Sequence, residues 1–240
     1  MLTKRTLASI AAGFLALALV APAQGFNLNK SIKVEAGSES KGHSTLNGSI
    51  TVGSEAIVNG DLETVNGAIR IDDNARIEVA ETVNGSVRVG SGVSARGLSS
   101  VNGSISVGEN STIDGEVDVV NGRISLTPGS SVSSDVSNVN GEIEISGAGI
   151  GGDLTTVNGD VTLSGNATLT GDLVVQEPNG GNWSTSSRKP RIVIGPGARV
   201  QGEIRLEREV ELYISETAEV GGVSGVMTLD DAVRFSGERP

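Results

Sequence analysis

Seven of the chain's Asn-Gly pairs recur at a spacing of 18 or 19 residues: Asn47, Asn66, Asn84, Asn102, Asn121, Asn140 and Asn158, each followed by Gly. A period that regular, with a strand pattern inside each copy, describes a solenoid whose coils stack on one another. Asn-Gly is also a hairpin signal, but independent hairpins have no reason to keep one period over six intervals, whereas coils do.

Aligning the copies gives nine rungs beginning at Ile50, Ile69, Val87, Ile105, Ile124, Ile143, Val161, Ile192 and Leu212. Positions 0, 2, 6, 8 and 12 of most rungs are small or aliphatic, as in Ile50, Val52, Ala56, Val58 and Leu62. Alternation at period two marks short strands with one face inward. Turn formers such as Gly53-Ser54, Asp72-Asp73-Asn74, Gly108-Glu109-Asn110 and Pro196-Gly197 separate positions 2 and 6 and read as corners. Position 10 is often Gly (Gly60, Gly97, Gly115, Gly171, Gly202, Gly222), which suits a bend where a side chain would collide or φ is positive. A parity change near Glu63-Thr64 should then bring Val65 inward before Asn66-Gly67 turns into the next rung.

Three strands and three corners per coil predict an all-β fold, a single-stranded parallel β-helix of about nine coils of 18 to 20 residues, with each strand bonded to its equivalents about 4.8 Å above and below. Handedness is expected to be right-handed, the general preference for parallel crossovers. In such a stack the Asn side chains lie one above another, and each amide can donate to the oxygen of its neighbour. The seven asparagines are therefore read as a structural ladder.

The first 25 residues hold Lys4 and Arg5, an apolar run from Leu7 to Val20, and small residues around Ala21-Pro22-Ala23, the pattern of a secretory signal rather than a membrane span. The expected organisation is a signal at 1–25, a polar leader or cap at 26–45, the β-helix at 46–225, and a cap or tail at 226–240 in which Val226, Leu229, Val233 and Phe235 lie across the last rung. An inserted loop at 177–190 breaks the period and carries the chain's single Trp; Trp183, Asn182 and Arg188 are its candidate ligand residues. With weak caps, the ends are open to self-association.

There is no Cys, so packing alone must stabilise an exported chain. Without its signal the chain keeps 16 Lys and Arg against 29 Asp and Glu, which disfavours nucleic acid and anionic lipid as partners. After signal cleavage no transmembrane span is expected. Only 2% of residues are aromatic, so the interior must be built from Val, Ile, Leu and Ala.

No constellation of acid, base and nucleophile interrupts the repeat; no enzyme activity, cofactor or metal site is expected. Position 11 carries an outward acid in six rungs (Asp61, Glu116, Asp135, Asp153, Asp172, Glu203), read as a solvated face that keeps the rod soluble and blunts sideways pairing. The coil length resembles that of hexapeptide-type acyltransferases, which use a His base, but the only His is His43, in the polar leader and read as a solvated surface residue.

The segment Arg191-Ile-Val-Ile-Gly-Pro-Gly-Ala-Arg-Val-Gln-Gly-Glu-Ile204 resembles the coil motif of bactofilins, the bacterial polymer-forming β-helix proteins, and the Val-Asn-Gly coils resemble adhesin-type β-helical domains of bacterial exported proteins. The resemblance covers roughly residues 46 to 225. It implies a right-handed parallel β-helix and filament formation by end-to-end stacking, although bactofilins are chiefly cytosolic or membrane-attached whereas this chain carries a secretory signal. The expected function is a noncatalytic structural or adhesive rod, exported to the periplasm, cell surface or medium, self-associating or binding a cell-envelope partner. The alternative is a carbohydrate-binding or carbohydrate-active β-helix that uses the loop around Trp183, since aromatics stack on sugars.

Overall fold

A computed structural model describes residues 28–178 and 188–240. The signal-like segment, Asn182 and Trp183 lie outside the described residues.

The chain winds through three parallel sheets, of eleven, seven and ten strands, one on each face of a coil of about ten turns. Every strand pair is parallel and joins equivalent positions of successive coils, and no α-helix occurs among the described residues. The predicted rung starts stack in one column, from Ile50 over Ile69 and Val87 to Ile105, Ile124, Ile143, Val161, Ile192 and Leu212. Side chains of that column, together with Val52, Leu62, Leu98, Ile113, Leu154 and Leu206, form one continuous aliphatic core. Small β-branched residues favour this arrangement because they fit a pleated surface whose inner side is only one strand-width from two others. The fold is thus a parallel β-helix.

The first coil begins earlier than the repeat indicates. Ile32–Val34 lies under Ile50–Val52, and Glu39–Thr45 pairs with Ile57–Thr64, so the expected polar leader contains a complete turn. Both of these longer strands run across the second and third faces, bent at a register shift between Lys41 and His43. At the bend Gly60 has φ 151°, and a Cβ there would fall 2.7 Å from the amide nitrogen of Gly42. Gly97 and Gly222 occupy the same repeat position without any such close approach, so the glycine column there is not uniformly obligatory.

His43 is not a solvated surface residue: it stands level with Leu62 in the inward column, half-buried at the first turn, and its Nε2 lies 3.2 Å from Ser40 Oγ. Burial holds its imidazole below the ordinary pKa. At the other end the tail departs from an apolar lid. Val233–Phe235 adds an eleventh strand to the first sheet, and Phe235 is buried, while Val226, Leu229 and Val233 stay exposed.

The insertion leaves the register intact. It departs after Leu173–Val175 on the third face and returns at Arg191–Ile194 on the first, and both strands pair in step with the coils on either side. The two faces meet at the Asn-Gly corner.

Candidate functional site: the asparagine corner

Chain geometry brings the seven predicted asparagines into a single ladder. Asn66 Nδ2 donates to Asn47 Oδ1 (2.8 Å), Asn84 to Asn66 (2.9 Å), Asn102 to Asn84 (3.0 Å), Asn121 to Asn102 (3.0 Å), Asn140 to Asn121 (2.9 Å) and Asn158 to Asn140 (3.0 Å). Two end groups escaped the sequence reading. Asn29, which lacks a following Gly, accepts from Asn47 Nδ2 at 2.7 Å, and Arg208 Nη1 donates to Asn158 Oδ1 at 2.9 Å. All the amides point the same way, oxygen toward the C-terminal end, and a guanidinium meets the last oxygen.

Arg208 does this from two coils away. Thr156 pairs with Val175 and Val175 with Leu206, so Glu177 holds the ladder position directly beyond Asn158, and Arg208 the one after that. Glu177 starts the insertion, and its backbone N–H is bound to Glu207 Oε2 at 3.3 Å. Arg208 spans the interrupted rung and also donates to Val157 O at 3.3 Å.

The glycines of the ladder pairs are present for close approach, and only Gly141 among them also has a positive φ, 127°. None of the ladder asparagines has positive φ. A Cβ on Gly67, Gly85, Gly103, Gly122 or Gly159 would overlap the carbonyl oxygen of the equivalent glycine one coil below. Most left-handed conformations sit at the corner between the first and second faces, on Glu55, Asn74, Asn110 and Asn166 and on Gly37, Gly92, Gly129 and Gly197. Asn and Gly tolerate that region with least strain.

Behind the ladder runs a buried polar column where the parity change was expected to bring Val65 inward. Thr64 is buried and Val65 half-buried. The inward hydroxyls satisfy the corner carbonyls: Thr64 Oγ1 donates to Gly48 O (2.8 Å), Thr82 to Gly67 O (2.9 Å) and Ser100 to Gly85 O (2.9 Å). A buried carbonyl without a donor is costly, so in these coils the inward site takes Thr or Ser and the valine is displaced outward, while Val119, Val175 and Leu206 hold the same inward site in others. Asn138 substitutes in its coil, its Nδ2 donating to Gly122 O at 2.8 Å, and its Oδ1 is left without a partner.

The acidic column is more than a solvated face. Asp135 Oδ1 accepts the backbone N–H of Asp153 (2.9 Å), Asp153 that of Asp172 (2.8 Å), and Asp172 that of Glu203 (2.9 Å), so three carboxylates tie successive coils together. Arg205 completes the series on Asp172 Oδ2. Nearer the N-terminus the third face brings acids together: Glu63 and Glu81 are cross-strand neighbours. Burial first, then Glu63 and Asp61, raises the Glu81 pKa. Asp118 is pushed up to about 6, chiefly by burial and then by Glu116, against the opposing hydrogen bond from Ser137.

Of the loop residues singled out for a ligand, Arg188 is engaged with Asp160 at 2.5 Å, and Asp160 also accepts Arg191 N–H at 2.9 Å. Lys189 pairs with Glu209 at 2.7 Å. The described ends of the insertion are thus pinned to the coil on either side. Beyond them, Arg191 stacks 4.8 Å from the Tyr213 ring centroid on the outer first face.

Among the described residues no group of His, Asp and Glu side chains is arranged to hold a metal ion, and no helix is long and apolar enough to cross a membrane. Comparison with protein-family models, with curated proteins and with solved structures gives no match.

Proposed function

We propose that this protein is a noncatalytic structural or adhesive rod of the bacterial envelope, exported by its N-terminal signal and associating through its ends. The observation that carries the reading is the state of the C-terminal end. Val233–Phe235, Glu219–Val220 and Val223–Gly225 are the last strands of their sheets, and Val226, Leu229 and Val233 beside them are exposed. Unpaired parallel edges with apolar neighbours are templates for another chain. The side walls differ: their outward positions are Ser, Thr, Arg, Asp and Glu in most coils, which keeps rods apart laterally.

The test is sedimentation of the purified protein over a range of concentrations, with negative-stain microscopy and fractionation of the producing cells. Concentration-dependent rods whose length is a multiple of the single coil stack, recovered outside the cytoplasm, support the proposal. A monomer at all concentrations removes the end-to-end element, and retention in the cytoplasm removes the envelope role.

A further inference from the structure

The geometry points to Asn158-Gly159 as a site of spontaneous backbone modification, a succinimide-forming deamidation that Arg208 holds in check. In this reaction the amide nitrogen of Gly159 attacks Asn158 Cγ, and the Cγ–Nδ2 bond breaks with loss of ammonia. Water then opens the cyclic imide to an aspartyl or isoaspartyl residue. Asn-Gly is the sequence in which the attack meets least steric hindrance, because the nucleophile's residue has no side chain. Nine copies, the seven of the ladder with Asn59-Gly60 and Asn179-Gly180, make this chain unusually rich in the reacting pair.

The ladder restrains the reaction where it is complete. Bringing Cγ over the next nitrogen requires the side chain to rotate. At Asn66, Asn84, Asn102, Asn121 and Asn140 that rotation breaks an amide–amide bond below and another above. At Gly103 and Gly122 the nucleophile is itself committed, its N–H donating to Asn121 O (3.0 Å) and Asn140 O (2.9 Å) of the next coil. Reaction there must await local opening of the stack, which lowers its rate by the opening equilibrium.

Asn158 differs in what holds its side-chain oxygen and in where the next N–H is bound. Glu177 replaces the amide above it, so its Oδ1 is held by Arg208, a long side chain crossing an interrupted rung. The Gly159 N–H is bound within its own coil, to Thr156 Oγ1 at 3.0 Å, and not to the coil beyond. Asn158, like the other ladder asparagines except Asn140, is exposed to the water that the second step consumes. Modification would also be self-reinforcing: an aspartate at 158 cannot donate to Asn140 Oδ1, and two oxygens would then face each other at the ladder contact.

Peptide mapping by mass spectrometry, with isoaspartate detection, during prolonged incubation of the folded full-length protein in mildly alkaline buffer tests this. Asn158 should be the fastest of the seven ladder asparagines. Arg208→Ala should accelerate it about fivefold, the factor given by losing about 1 kcal/mol of local protection, and leave Asn84 and Asn102 unchanged. Arg208→Lys, which keeps a donor, should recover part of the protection. Glu177→Asn, which restores an amide to the missing rung, should slow Asn158. An unchanged Asn158 rate in both Arg208→Ala and Glu177→Asn, or faster reaction at an interior rung of the folded wild type, overturns the inference. If Arg208→Ala unfolds the coil, all seven rates rise together toward those in urea, and the Glu177→Asn result alone then decides.

Discussion

Arg208 Nη1 lies 2.9 Å from Asn158 Oδ1, although a complete coil and a fourteen-residue insertion, 177–190, separate the rungs to which the two residues belong. The contact joins the coils before the insertion to those after it on the one corner where the backbone is interrupted. A charged donor on a neutral acceptor at a partly exposed site contributes about 1 kcal/mol. Arg208→Ala should lower the urea midpoint accordingly, and hydrogen exchange should show the gain in opening concentrated around 157–160 and 204–210.

Within the ladder, Asn102→Asp should cost more than Asn102→Ala at neutral pH. Alanine removes two amide bonds, each with a net value of about 1 kcal/mol. Aspartate keeps an acceptor for Asn121 but turns a carboxylate oxygen on Asn84 Oδ1, where a donor stood at 3.0 Å. Lowering the pH should narrow the difference as the carboxyl gains a proton able to donate. Paired urea titrations at neutral and acidic pH read this directly.

Gly85→Ala tests the close approach of coils. The added Cβ would overlap the carbonyl oxygen of Gly67, which is backbone and cannot rotate away. A loss of about 3 kcal/mol or more is expected, toward the upper end of overpacking effects. Gly97→Ala is the control: its Cβ finds only ordinary contacts, the nearest at 3.7 Å, and the substitution should be close to neutral.

Asn138→Thr should stabilise the rod by about 1 kcal/mol. Threonine fills the equivalent place at Thr64 and Thr82, where its hydroxyl donates to the corner carbonyl below. The change keeps the bond to Gly122 O and removes the partnerless Asn138 Oδ1. Thermal unfolding of the two proteins decides it.

Acidification should strengthen the rod. The Asp118 pKa in the folded state, about 6, lies above the ordinary carboxylate value, so between the two the folded protein binds the extra proton and stability falls as pH rises. Glu81 acts in the same direction. Asp118→Asn should therefore stabilise the protein at neutral pH by about 1 kcal/mol, the shift discounted for partial solvation. It should also flatten the loss of stability between pH 4 and 6. A wild-type stability that rises with pH across that window would contradict the assignment.

The coil stack was legible because period two and the 18-to-19-residue spacing are both fixed by local chemistry: inward sites must be aliphatic and corners need Gly, Asn or Asp whatever lies beyond. That is why all nine rung starts appear in one column, and why the asparagines meet as expected. The first turn was hidden because Glu39–Thr45 contains Lys41, Gly42 and His43, whose polarity is tolerated at a coil with core on only one side.

Sequence by itself determined the parallel solenoid, its period, and the identity of the residues on the amide edge, because each of these depends on which side chains recur and at what interval. Tertiary structure alone decided where that edge ends and what terminates it. Asn29 has no Gly to mark it, and Arg208 reaches Asn158 only because coils 31 residues apart at the insertion are brought into register. It also decided that at Thr64 the threonine, not the valine after it, turns inward beside the corner, since the demand comes from a glycine carbonyl in the coil below, a partner that no local pattern names.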